Sequence, residues 1–209
     1  MKTSKKLIRI LLLICAVSII LCSCAKGNKF KFSDEGLVDK KTDVVYLDAP
    51  DCYSPIAVSD KVYGHSGEYR FYEIIGVSPE RFVAEASGIV LYSSDINLPE
   101  IDDMHIMYMD ICTETTDVKV NKTVEDKAAI NEIVESYLTE TPIYYLNLEP
   151  SLMYEIRFAD TSIGIYYTLT YLRYDSGYAE YGTDFIYNRS AQRFVKAPDV
   201  LVDIINGLA

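Results

Sequence analysis

The 209-residue chain contains no tryptophan, two histidines and five cysteines. It also lacks several catalytic and ligand-binding motifs. The cysteines at 52 and 112 have no C-x-x-C spacing, so neither a structural zinc site nor a redox motif is indicated. A glycine-rich phosphate loop, a G-x-S-x-G elbow, an EF-hand and an H-E-x-x-H helix are all missing. These absences favour a binding or scaffolding protein over an enzyme, and we expect no metal or cofactor.

The amino-terminal apolar run is too short to span a membrane. It extends over residues 10–21, twelve residues where a bilayer span needs about 20. Four basic residues and no acid precede it, at Lys2, Lys5, Lys6 and Arg9. A basic head followed by a short apolar core is typical of a secretory signal. We therefore expect residues 1–23 to be removed.

The end of this run, Leu21-Cys22-Ser23-Cys24, resembles the lipobox of bacterial lipoproteins. In that family the last cysteine receives a diacylglycerol thioether, and the signal is cleaved immediately before it. Cys24 fits because a small residue precedes it, whereas Cys22 follows a bulky leucine and Cys15 lies inside the apolar core. The resemblance implies a lipid anchor on Cys24 that faces outside the cytoplasm. An ordinary secretory signal and an uncleaved anchor are the alternatives.

Three further segments, "DKKTDVVYLDAP", "FYEIIGV" and "FIYNRSAQRFV", resemble parts of small lipoproteins of Gram-positive-type bacteria. This resemblance implies no reaction and no ligand.

The expected mature chain is strongly acidic. Residues 24–209 keep 16 of the 20 Lys and Arg residues and all 31 acidic residues, which gives a formal charge of −15. Binding to nucleic acid or to anionic lipid needs a basic footprint, so the overall charge argues against both. A cationic partner is one interpretation, and a solvated surface repelled from the membrane is the favoured one. Residues 24–29 would form only a short tether.

For residues 30–209 the pattern predicts a single α+β domain with a mainly antiparallel, twisted sheet. A hairpin is expected within 36–50, and further strands at 70–77, 89–92 and 105–112, the last in a central position. From residue 152 the chain predicts three or four strands in meander order, with a hairpin turn at 188–192.

Three helices are expected. Ser78, Pro79 and Glu80 form a helix-start pattern, which predicts a short helix near 79–86. Thr123 and Asp126 approximate a capping box for an amphipathic helix at about 124–138. Its apolar residues are Ile130, Ile133, Val134, Tyr137 and Leu138. A carboxy-terminal helix is expected at about 199–208.

Cys52 and Cys112 could form a disulfide outside the cytoplasm. The alternative is that Cys112 is a small buried hydrophobic residue.

The 18 tyrosines are the unusual part of the composition. Tyrosine serves both half-buried sheets and binding surfaces. Tyr166, Tyr171 and Tyr178 are therefore candidates to line a groove for a peptide or glycan from an unknown partner. Packing of the sheet is the alternative.

An envelope hydrolase or metal-dependent enzyme is the alternative function. It would use His65, Ser66, Asp103 and His105, with Asp102 as another possible acid of a triad. Asp103 and His105 would lie on one face of an extended segment and could supply two metal ligands. A loop turn at His65 and a solvated turn at 100–105 are the structural interpretations. A third possibility is a structural role without a ligand.

Overall fold

The computed structural model describes residues 27–113, 118–143, 149–178 and 182–208, without the side chains of 176–178. The predicted signal and Cys24 lie outside these ranges. None of the helices in the described ranges is long and apolar enough to cross a membrane.

The first half of the chain forms a closed seven-stranded barrel in the order β1-β2-β3-β8-β7-β6-β5. β1 pairs in parallel with β5, and this pairing closes the barrel at Asn28–Gly64 and Lys29–His65. The hairpin predicted at 36–50 is confirmed as β2 and β3. The strands are β1 Asn28–Ser33, β2 Gly36–Asp39, β3 Val45–Asp48, β4 Tyr53–Pro55, β5 Val58–Ser66, β6 Tyr69–Ile74, β7 Phe82–Glu85 and β8 Val90–Ser93, of which β4 belongs to the second sheet.

Side-chain alternation gives the barrel strands two apolar faces, because successive residues of a strand point to opposite sides. The inward residues fill the barrel, as small barrels require. They are Phe30, Leu37, Tyr46, Phe71, Val83 and Leu91. The outward residues Ile74, Phe82, Ala84 and Val90 belong instead to the main core, which the barrel shares with the second sheet.

The second sheet has the strand order β10-β9-β11-β12-β13-β14, and β4 pairs with β12. The meander predicted after residue 152 and the hairpin turn at 188–192 are confirmed. β9 lies between β10 and β11, as its two apolar faces predict. The strands are β9 Tyr108–Thr113, β10 Lys119–Val124, β11 Leu152–Asp160, β12 Ile165–Tyr178, β13 Gly182–Asn188 and β14 Arg193–Lys196.

Two helices pack into the main core, α1 at Lys127–Thr139 and α2 at Asp199–Asn206. Both were predicted, with ends that differ by no more than three residues. The predicted capping box is wrong: Asp126 alone caps α1, accepting hydrogen bonds from the backbone N–H groups of residues 128 and 129, while Thr123 lies in β10. The predicted apolar stripe is buried except for Leu138, which is 42% exposed.

The short helix predicted near 79–86 is wrong. Ser78 starts only a turn, in which its carbonyl oxygen accepts from the N–H of Arg81 at 2.9 Å. The chain then enters β7, where Phe82, Val83 and Ala84 are all buried. A strand between the barrel interior and the main core buries both faces, whereas a short surface helix buries only one stripe. The prediction of a single sheet was likewise too simple, because the strands divide between a barrel and a second sheet.

Candidate functional site

A groove of about 750 Å³ lies along β5 and the start of β6 on the barrel wall. It begins where the described chain begins, at Gly27 and Asn28. Polar and charged side chains dominate its lining. The lining residues are Gly27, Asn28, Asp60, Lys61, Val62, Tyr63, His65, Gly67, Arg70 and Glu73.

Strand register places basic residues side by side on the outside of this wall. Lys29 pairs with His65 across β1 and β5, and His65 pairs with Arg70 across β5 and β6. Lys40 continues the row, because its N–H donates to the carbonyl oxygen of Lys29 at 2.9 Å. Paired residues of adjacent strands project to the same face, so the row crosses β1, β5 and β6 and continues onto the turn after β2.

The inward neighbours of this row confirm that it faces outward. Phe30 and Phe71 are buried in the barrel interior. A Cβ on Gly64 would lie 2.7 Å from the Phe30 ring, so residue 64 also faces inward. Because side chains alternate, Lys29, His65 and Arg70 face outward. We call the row and its flanking lysines the basic stripe: Lys29, Lys31, Lys40, Lys41, His65 and Arg70.

The basic stripe has no partners within the described residues: none of its six side chains makes a hydrogen bond or an ion pair there. The neighbouring Lys61 differs, because its Nζ lies 2.5 Å from Oε1 of Glu73. The charge of Glu73 in the groove is thus compensated. Asp60 is the remaining acid of the groove lining.

Two exposed aromatic rings lie at the barrel mouth beside the stripe. Phe32 is 54% exposed and Tyr69 is 57% exposed. Their rings form an edge-to-face pair with centroids 5.6 Å apart. A smaller concavity of about 310 Å³ adjoins Tyr69, and Arg70 lines both it and the groove. Arg70 therefore stands on the ridge between two concave surfaces.

A buried carboxylate fixes the start of β1 beneath the stripe. Asp39 is fully buried and accepts hydrogen bonds from the Asn28 side chain at 2.6 Å and the Lys41 N–H at 2.8 Å. Tyr63 donates to it at 3.4 Å. Burial, followed by the influence of Tyr63 and of this carboxylate, raises the pKa of the Tyr46 hydroxyl. Asp39 was not predicted as a buried residue, because in the sequence it lies next to a polar turn, where acids are usually solvated.

The four residues of the proposed hydrolase lie on different elements. His65 and Ser66 end strand β5 instead of forming the expected loop. Asp103 and His105 lie in the segment before β9, next to Asp102, and all three are exposed. Across the described ranges, no hydrogen bond joins any two of these side chains, and no three potential metal ligands cluster. His105 is held only through its backbone N–H, which donates to Asp160 Oδ2 at 2.8 Å.

The predicted tyrosine groove is not formed by Tyr166 or Tyr171. Tyr171 is fully buried and Tyr166 is 8% exposed. The hydroxyl of Tyr171 donates to Asp184, and that of Tyr166 donates to Asp110 at 3.0 Å. Sheet packing, the alternative interpretation, therefore describes both. The Tyr178 side chain lies outside the described part of the chain.

Cys52 and Cys112 are both buried free thiols. Cys52 belongs to the main core together with Ile111. Cys112 follows Ile111 in β9 and so faces the other side of the sheet. The structure therefore does not join the two thiols in the disulfide that the sequence left open, and burial raises the pKa of both thiols.

No family model, no curated protein and no solved structure matches the chain. Function is therefore inferred from the chemistry of the barrel wall.

Proposed function

We propose that the protein is a lipoprotein anchored through Cys24 outside the cytoplasm, and that its barrel wall binds a component of the cell surface. A single observation carries the proposal. The basic stripe and the groove lie where the chain leads back to Cys24, and the stripe has no partner among the described residues.

The position of the groove supports a role close to the membrane. Cys24 precedes Gly27 by three residues, which reach about 10 Å when fully extended. A lipid on Cys24 would therefore hold the groove within a short distance of the headgroups. Stable attachment needs two or more acyl chains, which the lipoprotein pathway would supply on this residue.

The chemistry of the wall suits recognition. The guanidinium group of Arg70 is a planar set of N–H donors that can bind a carboxylate or phosphate in bidentate geometry. Exposed aromatic side chains such as Phe32 and Tyr69 are enriched at interfaces. A protein or peptide is one class of partner that these groups fit. The hydrolase alternative gains no support, since His65 and Ser66 make no hydrogen bond to Asp103 or His105 within the described residues.

The anchor is tested by comparing wild type with Cys24→Ala in the native host. We expect wild type in the membrane fraction, with the mass of residues 24–209 plus diacylglycerol, and we expect the variant to lose both properties. Equal fractionation and equal processing of the two would refute the anchor.

The binding wall is tested by placing a photo-crosslinking amino acid at Lys61, whose side chain is 68% exposed beside the groove. The matched control position is Lys122, an exposed lysine in β10 of the second sheet. We expect a discrete adduct from position 61, with a protein or with a lipid, that the control position does not give. Identical adduct patterns, or none from either position, would refute a binding role for the barrel wall.

A further inference from the structure

We infer that the basic stripe lies on the anionic phosphate headgroups of the membrane that holds the anchor. The partner of the barrel wall would then be the lipid surface itself. This inference rests on the proposed anchoring through Cys24. It gives the domain a defined orientation, with β1, β5 and β6 toward the bilayer.

The stripe follows the curved outer wall of the barrel, with Lys29 and Lys31 of β1 and His65 of β5 at its centre. It runs from the turn after β2 across β1 and β5 to β6, and adjacent strands are about 4.8 Å apart, so its length along the wall is roughly 14 Å. The tether reaches about 10 Å. Electrostatic attraction extends over about 10 Å at 0.1 M ionic strength. An anchored stripe would therefore remain within the field of the headgroups.

The distribution of charge along the chain favours the same orientation. Residues 94–209, which include the second sheet and both helices, contain 20 acidic and 8 basic residues. Residues 28–93, which include the barrel strands and β4 of the second sheet, contain 11 acidic and 7 basic residues. An anionic membrane would repel the first group and attract the stripe. Both forces turn the barrel wall toward the bilayer.

The barrel's packing separates these two charged regions. Phe82, Ala84 and Val90 of β7 and β8 pack into the core shared with the second sheet. The stripe lies on β1, β5 and β6 and on the turn after β2, where Lys29, Lys40 and Arg70 are exposed. Within β6, Arg70 of the stripe lies near one end and Ile74 of the shared core lies at the other, so the two regions are separated along that strand.

The absence of tryptophan makes the orientation measurable. Full-length lipidated protein with one tryptophan, from Phe32→Trp at the barrel mouth or Leu138→Trp on α1, is reconstituted into vesicles that carry a headgroup quencher. The vesicles contain phosphatidylcholine alone or mixed with phosphatidylglycerol. We expect strong quenching at position 32 only when phosphatidylglycerol is present, and weak quenching at position 138 in both lipids.

Charge reversal separates the stripe from a general charge effect. Lys29→Glu with Lys40→Glu alters the stripe, and Lys119→Glu with Lys122→Glu makes the same charge change on exposed residues of β10. Each basic residue near an anionic surface contributes roughly a fivefold factor to binding. We expect the first pair to reduce the docked population more than roughly tenfold, and the second pair to leave quenching at position 32 nearly unchanged.

Several results would overturn the inference. Quenching at position 32 that does not depend on phosphatidylglycerol, or equal effects of the two lysine pairs, would show that the stripe does not dock on lipid. Release of the stripe by soluble polyglycerol phosphate at equal phosphate concentration would assign it to a free polymer instead. Retention of Cys24→Ala on vesicles of phosphatidylcholine alone would refute the anchor itself, whatever the quenching shows.

Discussion

Replacing Gly64 by alanine tests whether the barrel closes between β1 and β5. The added Cβ would lie 2.7 Å from the ring of Phe30, well inside van der Waals contact. That ring has little room to move, because the rings of Tyr46, Tyr63 and Phe71 surround it at centroid distances of 5.2 to 5.9 Å. Overpacking of this kind reduces the free energy of unfolding by about 1–3 kcal/mol.

The assay is urea unfolding of the purified domain, followed by tyrosine fluorescence and far-UV circular dichroism. We expect a lower midpoint with an unchanged slope, because the mutation changes stability and not the surface exposed on unfolding. Gly207→Ala is the matched control, since its nearest neighbour would be 3.5 Å away, an ordinary contact. We expect the control to stay within about 0.5 kcal/mol of wild type.

A second substitution identifies the contact responsible. Phe30→Leu removes the ring atoms that the new methyl group would contact. In the Phe30→Leu background, Gly64→Ala should therefore lower the free energy of unfolding by less than it does in wild type. Coupling between residues in contact is about 0.5–3 kcal/mol. If Gly64→Ala matched the control and its effect were additive with Phe30→Leu, Phe30 would not pack against β5. Closure of the barrel between β1 and β5 would then be refuted.

Three further predictions concern the second sheet and the buried groups. Tyr166→Phe removes a hydrogen bond to the buried carboxylate of Asp110 and should destabilise by about 1.5–3 kcal/mol in urea unfolding, whereas Tyr69→Phe at an exposed site should have no measurable effect. Burial raises the pKa of the Tyr166 hydroxyl, so this group stays protonated to a higher pH in the folded state than in the unfolded state. The free energy of unfolding should therefore fall as the pH rises above about 10. If the tyrosine absorbance at 295 nm titrated fully while the protein stayed folded, this prediction would be contradicted. Cys52 and Cys112 should react slowly with a thiol reagent in the native protein. After unfolding without reductant, both thiols should react, and failure to detect them would indicate a disulfide.

Much of the second half of the fold could be predicted because its signals are local. The hairpin turn at 188–192 joins two strands that are neighbours in sequence, and α1 shows its buried face through Ile130, Ile133 and Val134. Each of these patterns fits within a short window of the chain. Such windows are where periodicity and turn chemistry are most informative.

The closure of the barrel could not be predicted from such local patterns. Its closure depends on a parallel pairing between Asn28 and Gly64, and no local pattern specifies a partner that far along the chain. The helix-start pattern at Ser78 and Pro79 is also compatible with a single turn. The segment that follows this turn forms a strand because Phe82 and Ala84 are buried in the main core.

The candidate site could not be predicted from the sequence for a related reason. Summed over residues 24–209, the charge indicates repulsion from an anionic surface. Strand register instead brings Lys29, Lys40 and Arg70, distant in sequence, into one row. Asp39 and Asp110 look like solvated acids in the sequence, but the structure buries both. Their burial depends on hydrogen-bond partners supplied by other strands.

The placement of β1 has a mechanical consequence for an anchored protein. β1 is the first strand after the proposed anchor, and it is hydrogen-bonded to β2 on one side and to β5 on the other. A pull on the anchor along the strand loads both ladders at the same time. The bonds must then fail together in shear, which demands a larger force than separating them one after another. The barrel would therefore resist extraction of its tether when the cell envelope is under tension.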